Sequence, residues 1–185
     1  MKMNIKNKKG ALVFNARTVA LVGIMAATLE CGKLVLSVLP NIEVVTLLCA
    51  LYGYVFGLYG VIAAVIFVCI EPLIWGIGSW LVTYFIYWPL VTFVFLLLRK
   101  RRMQSRLHLT LIALGLTLFF GILSSVVDTA YYLGINENYF KNLVIYYVRG
   151  IVFYLVQLAT NAALFSTVFP FLSKKLREIS HTILK

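Results

Sequence analysis

The chain has 185 residues, of which 62% are hydrophobic and 12% are charged, and its formal net charge is +11. Soluble domains carry about 25% charged residues, so this composition excludes an ordinary soluble domain. The positive charge does not indicate a nucleic-acid-binding protein, because most lysines and arginines fall in three short blocks beside long apolar segments. Such blocks are typical of the cytoplasmic loops of membrane proteins.

The apolar segments predict six transmembrane helices of about 20 residues each, joined by short loops. In chain order, the predicted helices cover approximately residues 16–38, 44–57, 58–72, 80–98, 109–127 and 143–172. Pro40 follows the first helix, and Gly57 and Gly60 mark a weak break between the second and the third. The polar stretch from Asp128 to Asn142 is predicted to connect the last two helices.

The basic blocks predict the orientation of the helices. With six spans, all three blocks lie on the same side of the membrane: residues 1–15, 99–108 and 173–185. With five spans, one block would lie on the opposite side, against the positive-inside pattern. We therefore predict a single all-α membrane domain over residues 1–185, with six transmembrane helices and both termini in the cytoplasm.

Residues that often serve as metal ligands or nucleophiles do not cluster in the sequence. Cys31, Cys49 and Cys69 lie in apolar segments without a metal-ligand spacing, and His108 and His181 lie in basic blocks. We expect no catalytic residue, no metal site and no cofactor. A small integral membrane enzyme and a ligand-free assembly protein remain the alternative classes.

Polar and aromatic side chains converge near the predicted outer ends of the helices. Glu71, Asp128 and Arg149 lie there, although a charge inside a span costs about 2.5–3.5 kcal/mol on insertion scales. The fourth helix adds an aromatic stripe of Trp80, Tyr84, Tyr87 and Trp88. A small-molecule pocket explains this combination. The alternative is an interfacial aromatic belt with local ion pairs, such as Glu30 with Lys33 on the first helix.

The first helix carries a face of small residues in its cytoplasmic half, formed by Ala16, Ala20, Gly23 and Ala27. Small side chains allow another helix to approach closely in lipid. This face predicts a contact with a partner membrane subunit, and the alternative is packing within the same chain.

Four features occur together in this order along the chain. They are ARTVA at 16–20, LPNIEVVTLL at 39–48, YGYVFGLYG at 52–60 and a series of six predicted spans. In these features the chain resembles the substrate-binding S components of energy-coupling factor (ECF) vitamin transporters. The resemblance covers approximately residues 16–172.

The resemblance implies that the chain binds a vitamin-like nutrient outside the cell and docks on a transmembrane coupling (T) subunit, which two ATPase subunits carry. ATP hydrolysis then drives release of the nutrient inside. Ala16 and Ala20 match the family's AxxxA pattern, which faces the coupling subunit. The chain has no phosphate-binding GxxxxGK[ST] motif, so ATP hydrolysis is expected in the separate ATPases. The expected location is the cell membrane of a prokaryote.

The segments PNIEVVTLL at 40–48 and EPLIWGIGSWLVTYFIYWPL at 71–90 look most like the cobalamin-binding branch of this family. Cobalamin would be the substrate and not a cofactor. Riboflavin, folate and thiamine remain alternatives, because aromatic pockets also suit them. The predicted vitamin-binding residues are Asn41, Glu43, Glu71, Trp75, Trp80, Tyr84, Trp88, Asp128, Tyr131, Tyr132, Tyr146 and Arg149.

Overall fold

The computed structural model of the chain describes residues 14–40 and 42–183, and all regular secondary structure within them is helical. The α-helices are α1 (Ala16–Leu36), α2 (Val45–Phe56), α3 (Leu58–Trp75), α4 (Trp80–Lys100), α5 (Arg106–Leu133), α6 (Tyr139–Ala163) and α7 (Phe169–Ile183). A π-helical turn, Leu164–Val168, joins α6 to α7, so that the two form one continuous helical segment.

Five helical segments are long and apolar enough to cross a membrane, namely α1, α3, α4, α5 and the continuous α6–α7 segment. The remaining helix, α2, is apolar but has only 12 residues. It extends for about 18 Å, whereas the hydrocarbon core of a bilayer is about 30 Å thick. The fold therefore agrees with a multi-pass helical membrane protein, and the count of six complete spans stays a prediction.

The outside of the helix bundle is apolar, and polar side chains lie inside it. Large hydrophobic side chains are exposed on the spanning segments, including Ile24, Phe85 and Val152. The carboxylate of Glu71 and the amide of Asn161, in contrast, are buried. A soluble protein buries apolar side chains and exposes charged ones. This bundle also has an apolar core, but its spanning helices expose apolar side chains as well, which suits a bundle surrounded by lipid.

The short helix α2 lies at the centre of the bundle. It packs against α3, α4 and α7, and all of its residues except Leu48 are buried. A Cβ atom at Gly53 would overlap the carbonyl oxygen of Thr92, so the glycine is needed for the close contact between α2 and α4. Gly57 has a φ of +67° and folds α3 back along α2. The predicted break at this glycine is thereby confirmed.

The prediction was wrong for the stretch 128–142, most of which is helical. Helix α5 continues to Leu133, and α6 begins at Tyr139. Polar side chains do not end a helix by themselves, and α5 ends where Gly134 adopts a φ of +72°. The two helices therefore extend further than the apolar pattern indicates.

The predicted basic tail, 173–185, is helical as far as Ile183. Leu172 and Leu176 pack against the core, which holds this helix on the bundle. Residues 184–185, together with most of the basic block 1–15, lie outside the described residues.

Candidate functional site

A polar site surrounds the side chain of Lys33, near the end of α1 that lies away from the basic blocks. Lys33 forms an ion pair with Glu71 of α3, and the two side chains are 22% and 0% exposed. The Lys33 Nζ also faces three aromatic rings, at 4.9 Å from the ring centroid of Trp75, 5.4 Å from Trp80 and 5.0 Å from Tyr84. We call these three rings the aromatic box. Their faces stabilise the ammonium by cation–π interaction.

Two buried carboxyl groups lie close together in this site. Glu30 lies on α1 one turn before Lys33 and interacts electrostatically with Glu71. Both carboxylate oxygens of Glu30 and Oε1 of Glu71 are buried and accept no hydrogen bond from a donor of the described residues. Because an unpaired buried charge is costly, this site is suited to take up a proton, a cation or the hydrogen-bond donors of a ligand. The alternative expectation that Glu30 pairs with Lys33 is wrong, since Lys33 reaches across to α3.

Aromatic rings continue from the box toward the middle of the bundle. On α4, the ring centroids of Trp80 and Tyr84 are 5.1 Å apart and those of Tyr84 and Trp88 are 5.4 Å apart, in edge-to-face contacts. Trp88 stacks on Phe120 of α5 at 6.1 Å. The indole Nε1 of Trp88 is buried and finds no acceptor among the described residues. The site therefore combines flat apolar surfaces with an unused hydrogen-bond donor.

A second polar cluster connects the beginning of α2 with α5 and α6. The carboxylate of Glu43 accepts hydrogen bonds from the backbone N–H of Thr46 at 2.8 Å and from the Asn161 amide at 3.3 Å. The Asn161 amide also donates to the hydroxyl of Thr117 at 3.0 Å. The Glu43 carboxylate thus satisfies a free backbone N–H in the first turn of α2, where a carboxylate also suits the helix dipole. Because α2 is short and central, this bond lies inside the bundle.

Asp128 lies at the junction between α5 and the beginning of α4. Its carboxylate accepts a hydrogen bond of 2.6 Å from the hydroxyl of Ser79, the residue before Trp80. This bond connects α5 to the turn between Trp75 and Trp80, which are two residues of the aromatic box. Asp128 therefore holds Ser79, and with it the start of α4, in place. Within the described residues it forms no hydrogen bond or ion pair with Lys33.

The remaining predicted residues lie apart from the box. Tyr131 and Tyr132 are exposed and pack on each other, with ring centroids 5.0 Å apart. On α6, Tyr146 is half-buried and Arg149 is exposed. No ring contact, hydrogen bond or ion pair within the described residues joins these four to Lys33. Asn41 lies outside the described residues.

Sequence reasoning did not include Lys33, Glu30, Phe120 or Asn161 among the ligand-binding residues. Lys33 and Asn161 carry a recognisable signal, because a cation or an amide inside an apolar helix requires a partner. Phe120 carries no such signal, since its type and spacing do not distinguish it from phenylalanines that face lipid.

The small-residue face of α1 is exposed along its whole length. Ala16, Ala20, Gly23 and Ala27 all lie on the outside of the bundle. A Cβ atom at Gly23 would meet no atom within 4 Å. The alternative that this face packs within the chain is therefore wrong for the described residues, and the face is open to another helix.

The chain matches no protein-family model, and comparisons with curated proteins and with solved structures find no match. A functional proposal for the chain therefore rests on the geometry of its own residues.

Proposed function

We propose that this chain is the substrate-binding membrane subunit of an ATP-driven, ECF-type vitamin importer. It binds a vitamin from the outside, docks on a transmembrane coupling subunit carried by two ATPases, and releases the vitamin inside. The observation that carries this proposal is the site around Lys33. One cation, two buried carboxyl groups and the aromatic box meet there at the end of the bundle opposite the basic blocks.

The chemistry of this site suits a large, flat ligand with amide groups. Carboxylate oxygens of Glu30 and Glu71 are ready to accept hydrogen bonds from amide N–H groups. The rings of the aromatic box and Trp88 supply flat apolar surface. Cobalamin combines a flat ring system with many amides, so it is the first ligand to test.

The exposed face of α1 supports the docking step. A partner helix is able to approach Ala16, Ala20 and Gly23 closely, because no part of the described chain covers them. Close contact between small residues is the main source of helix association in lipid. The vitamin site and this face lie toward opposite ends of α1, so one helix connects the ligand with the coupling subunit.

The proposal is tested by equilibrium binding of cobalamin, riboflavin, folate and thiamine to the purified full-length chain. One vitamin should bind, and Trp75→Ala should weaken its binding by about tenfold, because a ring of the box is lost. Phe85→Ala is the matched control, since Phe85 is 44% exposed and Trp75 is 45% exposed. Absence of binding to any vitamin of the panel would refute the proposed function.

Thiamine is the second candidate ligand, and a specific observation favours it. The aromatic box already holds one cation, the ammonium of Lys33. A cationic ring is able to take its place against the same rings and beside the same carboxylates. Competition between thiamine and cobalamin in the binding assay distinguishes one shared site from two.

A ligand-free assembly protein would behave differently. For such a protein, Asp128→Asn should leave transport by the assembled complex unchanged. For a vitamin-binding subunit, this variant should weaken vitamin binding before it affects assembly, because it removes a charge bonded to the turn before Trp80. Co-purification of the chain with its ATPases, followed by analysis of the bound small molecule, separates the two cases.

A further inference from the structure

Two cavities lie side by side at the basic end of the bundle, between α7 and the loop from α4 to α5. Their volumes are about 560 and 550 Å³. Gln104 of the loop and Arg177 and His181 of α7 line both cavities. The two cavities therefore form one continuous cleft, which we call the inner cleft.

The inner cleft is strongly cationic. Its walls carry Arg99, Arg102, Arg106, Lys174 and Arg177. The ion pairs of the described residues include none of these five side chains. The acidic side chain in the walls, Glu178, lies 3.8 Å from Lys175 and pairs with it. The guanidinium groups of Arg99 and Arg177 are close enough to repel each other, so an anion between them would lower their energy.

The arginines of the inner cleft are held in place by the end of α2. Arg99 donates a hydrogen bond of 2.6 Å to the carbonyl oxygen of Val55. The guanidinium of Arg177 lies 4.6 Å from the ring centroid of Tyr54. Arg102 has a φ of +55°, a conformation that is uncommon for a residue other than glycine. The contacts of Arg99 and Arg177 orient two of the cations before any ligand arrives.

The inner cleft is closed below by the hydrophobic core. Leu109, Phe165 and Phe169 lie there and are only 4%, 0% and 1% exposed, and the two phenylalanine rings stack with centroids 5.2 Å apart. The cleft lies where the apolar helix α4 ends at Lys100 and α5 begins at Arg106. This is the depth at which lipid headgroups meet a membrane protein. The cleft thus lies within reach of the anionic headgroups of the adjoining leaflet.

We propose that the inner cleft binds one anionic phospholipid from the adjoining leaflet. The lipid phosphate lies against Arg102 and Arg177, and the acyl chains stay in the adjoining leaflet. Charge complementarity favours an anion, and the position of the cleft at headgroup depth favours a lipid over a free anion, because the leaflet supplies lipid phosphates there at high local concentration. The inference does not depend on vitamin transport.

The test uses the purified full-length chain in detergent, with phosphatidylglycerol, phosphatidylcholine and inorganic phosphate as probes. Native mass spectrometry measures retained lipid, and thermal unfolding measures stabilisation. Phosphatidylglycerol should be retained and should raise the melting temperature, whereas phosphatidylcholine and phosphate should do neither. The double variant R102N/R177Q should lower the affinity for phosphatidylglycerol by about thirtyfold, because each arginine contributes about 1 kcal/mol. Asparagine is chosen at position 102 because it tolerates a positive φ.

The control variant K100Q/R101Q removes the same charge from residues that do not line the inner cleft. It should retain phosphatidylglycerol like the unchanged chain, and an equal loss in both double variants would overturn the proposal. Equal stabilisation by inorganic phosphate would also overturn it, as would equal retention of phosphatidylcholine.

If R102N/R177Q does not fold, Gln104→Trp provides the second test. This change fills the cleft without altering its charge and should reduce lipid retention, and full retention would refute the proposed site.

Discussion

At the level of single residues, the pair of Lys33 and Glu71 shows how a charge is kept inside an apolar bundle. The ammonium gains a carboxylate partner and three aromatic faces, and its side chain is 22% exposed. Burial removes water from both charges, so each depends on the other for its stability. Glu30 places a second carboxyl group beside Glu71, and this increases the dependence of Glu71 on its cation.

Replacing Lys33 by methionine should therefore destabilise the protein strongly. The change leaves Glu71 buried without its cation and beside Glu30, and breaking a buried pair costs about 3–5 kcal/mol. The double variant K33M/E71Q should recover part of this loss, because the Glu71 side chain no longer carries a charge. The measurement is thermal unfolding in detergent.

Lys141→Met serves as the control, because Lys141 is exposed on α6. Exposed substitutions change the free energy of unfolding by less than about 0.5 kcal/mol. Equal melting temperatures for K33M and K141M would show that Lys33 does not stabilise the bundle.

At the level of secondary-structure elements, α2 determines how closely the helices pack. It is the shortest of the apolar helices, and its neighbours α3, α4 and α7 enclose it. Gly53 permits the contact with the backbone of α4. Through this contact α2 fixes the position of α4, which carries Trp80, Tyr84 and Trp88.

The change Gly53→Ala should separate α2 from α4. The added methyl group would overlap the carbonyl group of Thr92, which belongs to the helix backbone and cannot turn away. Overpacking of this kind costs about 1–3 kcal/mol, and sometimes more. Gly115→Ala is the matched control, because a Cβ atom there meets nothing within 4 Å. Thermal unfolding of both variants gives the comparison, and equal stability would contradict the close contact.

The exposed face of α1 leads to a prediction about assembly. Ala20→Leu should leave folding and vitamin binding unchanged, because the side chain points away from the bundle. It should reduce co-purification of the coupling subunit, since a larger side chain keeps a partner helix at a distance. Ala159→Leu on α6 is the control, as Ala159 is also an exposed alanine on a spanning segment. Normal assembly of the Ala20 variant would exclude this face as the docking surface.

At the level of the whole molecule, the two ends of the bundle differ in charge and chemistry. The end formed by the α4–α5 loop and α7 is basic and contains the inner cleft. The other end carries Lys33, the aromatic box and the hydrogen bond between Ser79 and Asp128. This difference between the two ends supports the proposal that the ligand site and the basic loops lie on opposite sides of the membrane.

The orientation is tested by labelling single cysteines with a membrane-impermeant reagent. Cys31, Cys49 and Cys69 are first replaced by serine, and a cysteine is then placed at Gln104 or at Glu137, which are both exposed. Only the cysteine at position 137 should react in intact cells, and the one at 104 should react after the cells are opened. Labelling of both positions from outside would refute the predicted arrangement of spans.

Much of the bundle was predictable because its signals are local. The start of α1 at Ala16, the break at Gly57 and the start of α4 at Trp80 all follow from nearby residues. The end of α5 at Leu133 and the start of α6 at Tyr139 were not predictable in the same way. Both lie in a polar stretch, and a polar side chain is compatible with a loop as well as with a helix. The correct end of α5 depends on the φ of Gly134, which its residue type permits but does not require.

By itself, the sequence determined that this protein is a helical, lipid-facing chain with one basic side, because hydrophobicity and charge are properties of neighbouring residues. The sequence also predicted that Glu71, Trp75, Trp80 and Tyr84 belong to one site. Only the tertiary structure decided that Lys33 joins them, that Tyr131 and Tyr132 do not, and that the small face of α1 is exposed. The reason is that these facts depend on which helices are neighbours, and a contact between distant segments leaves no local pattern in the chain.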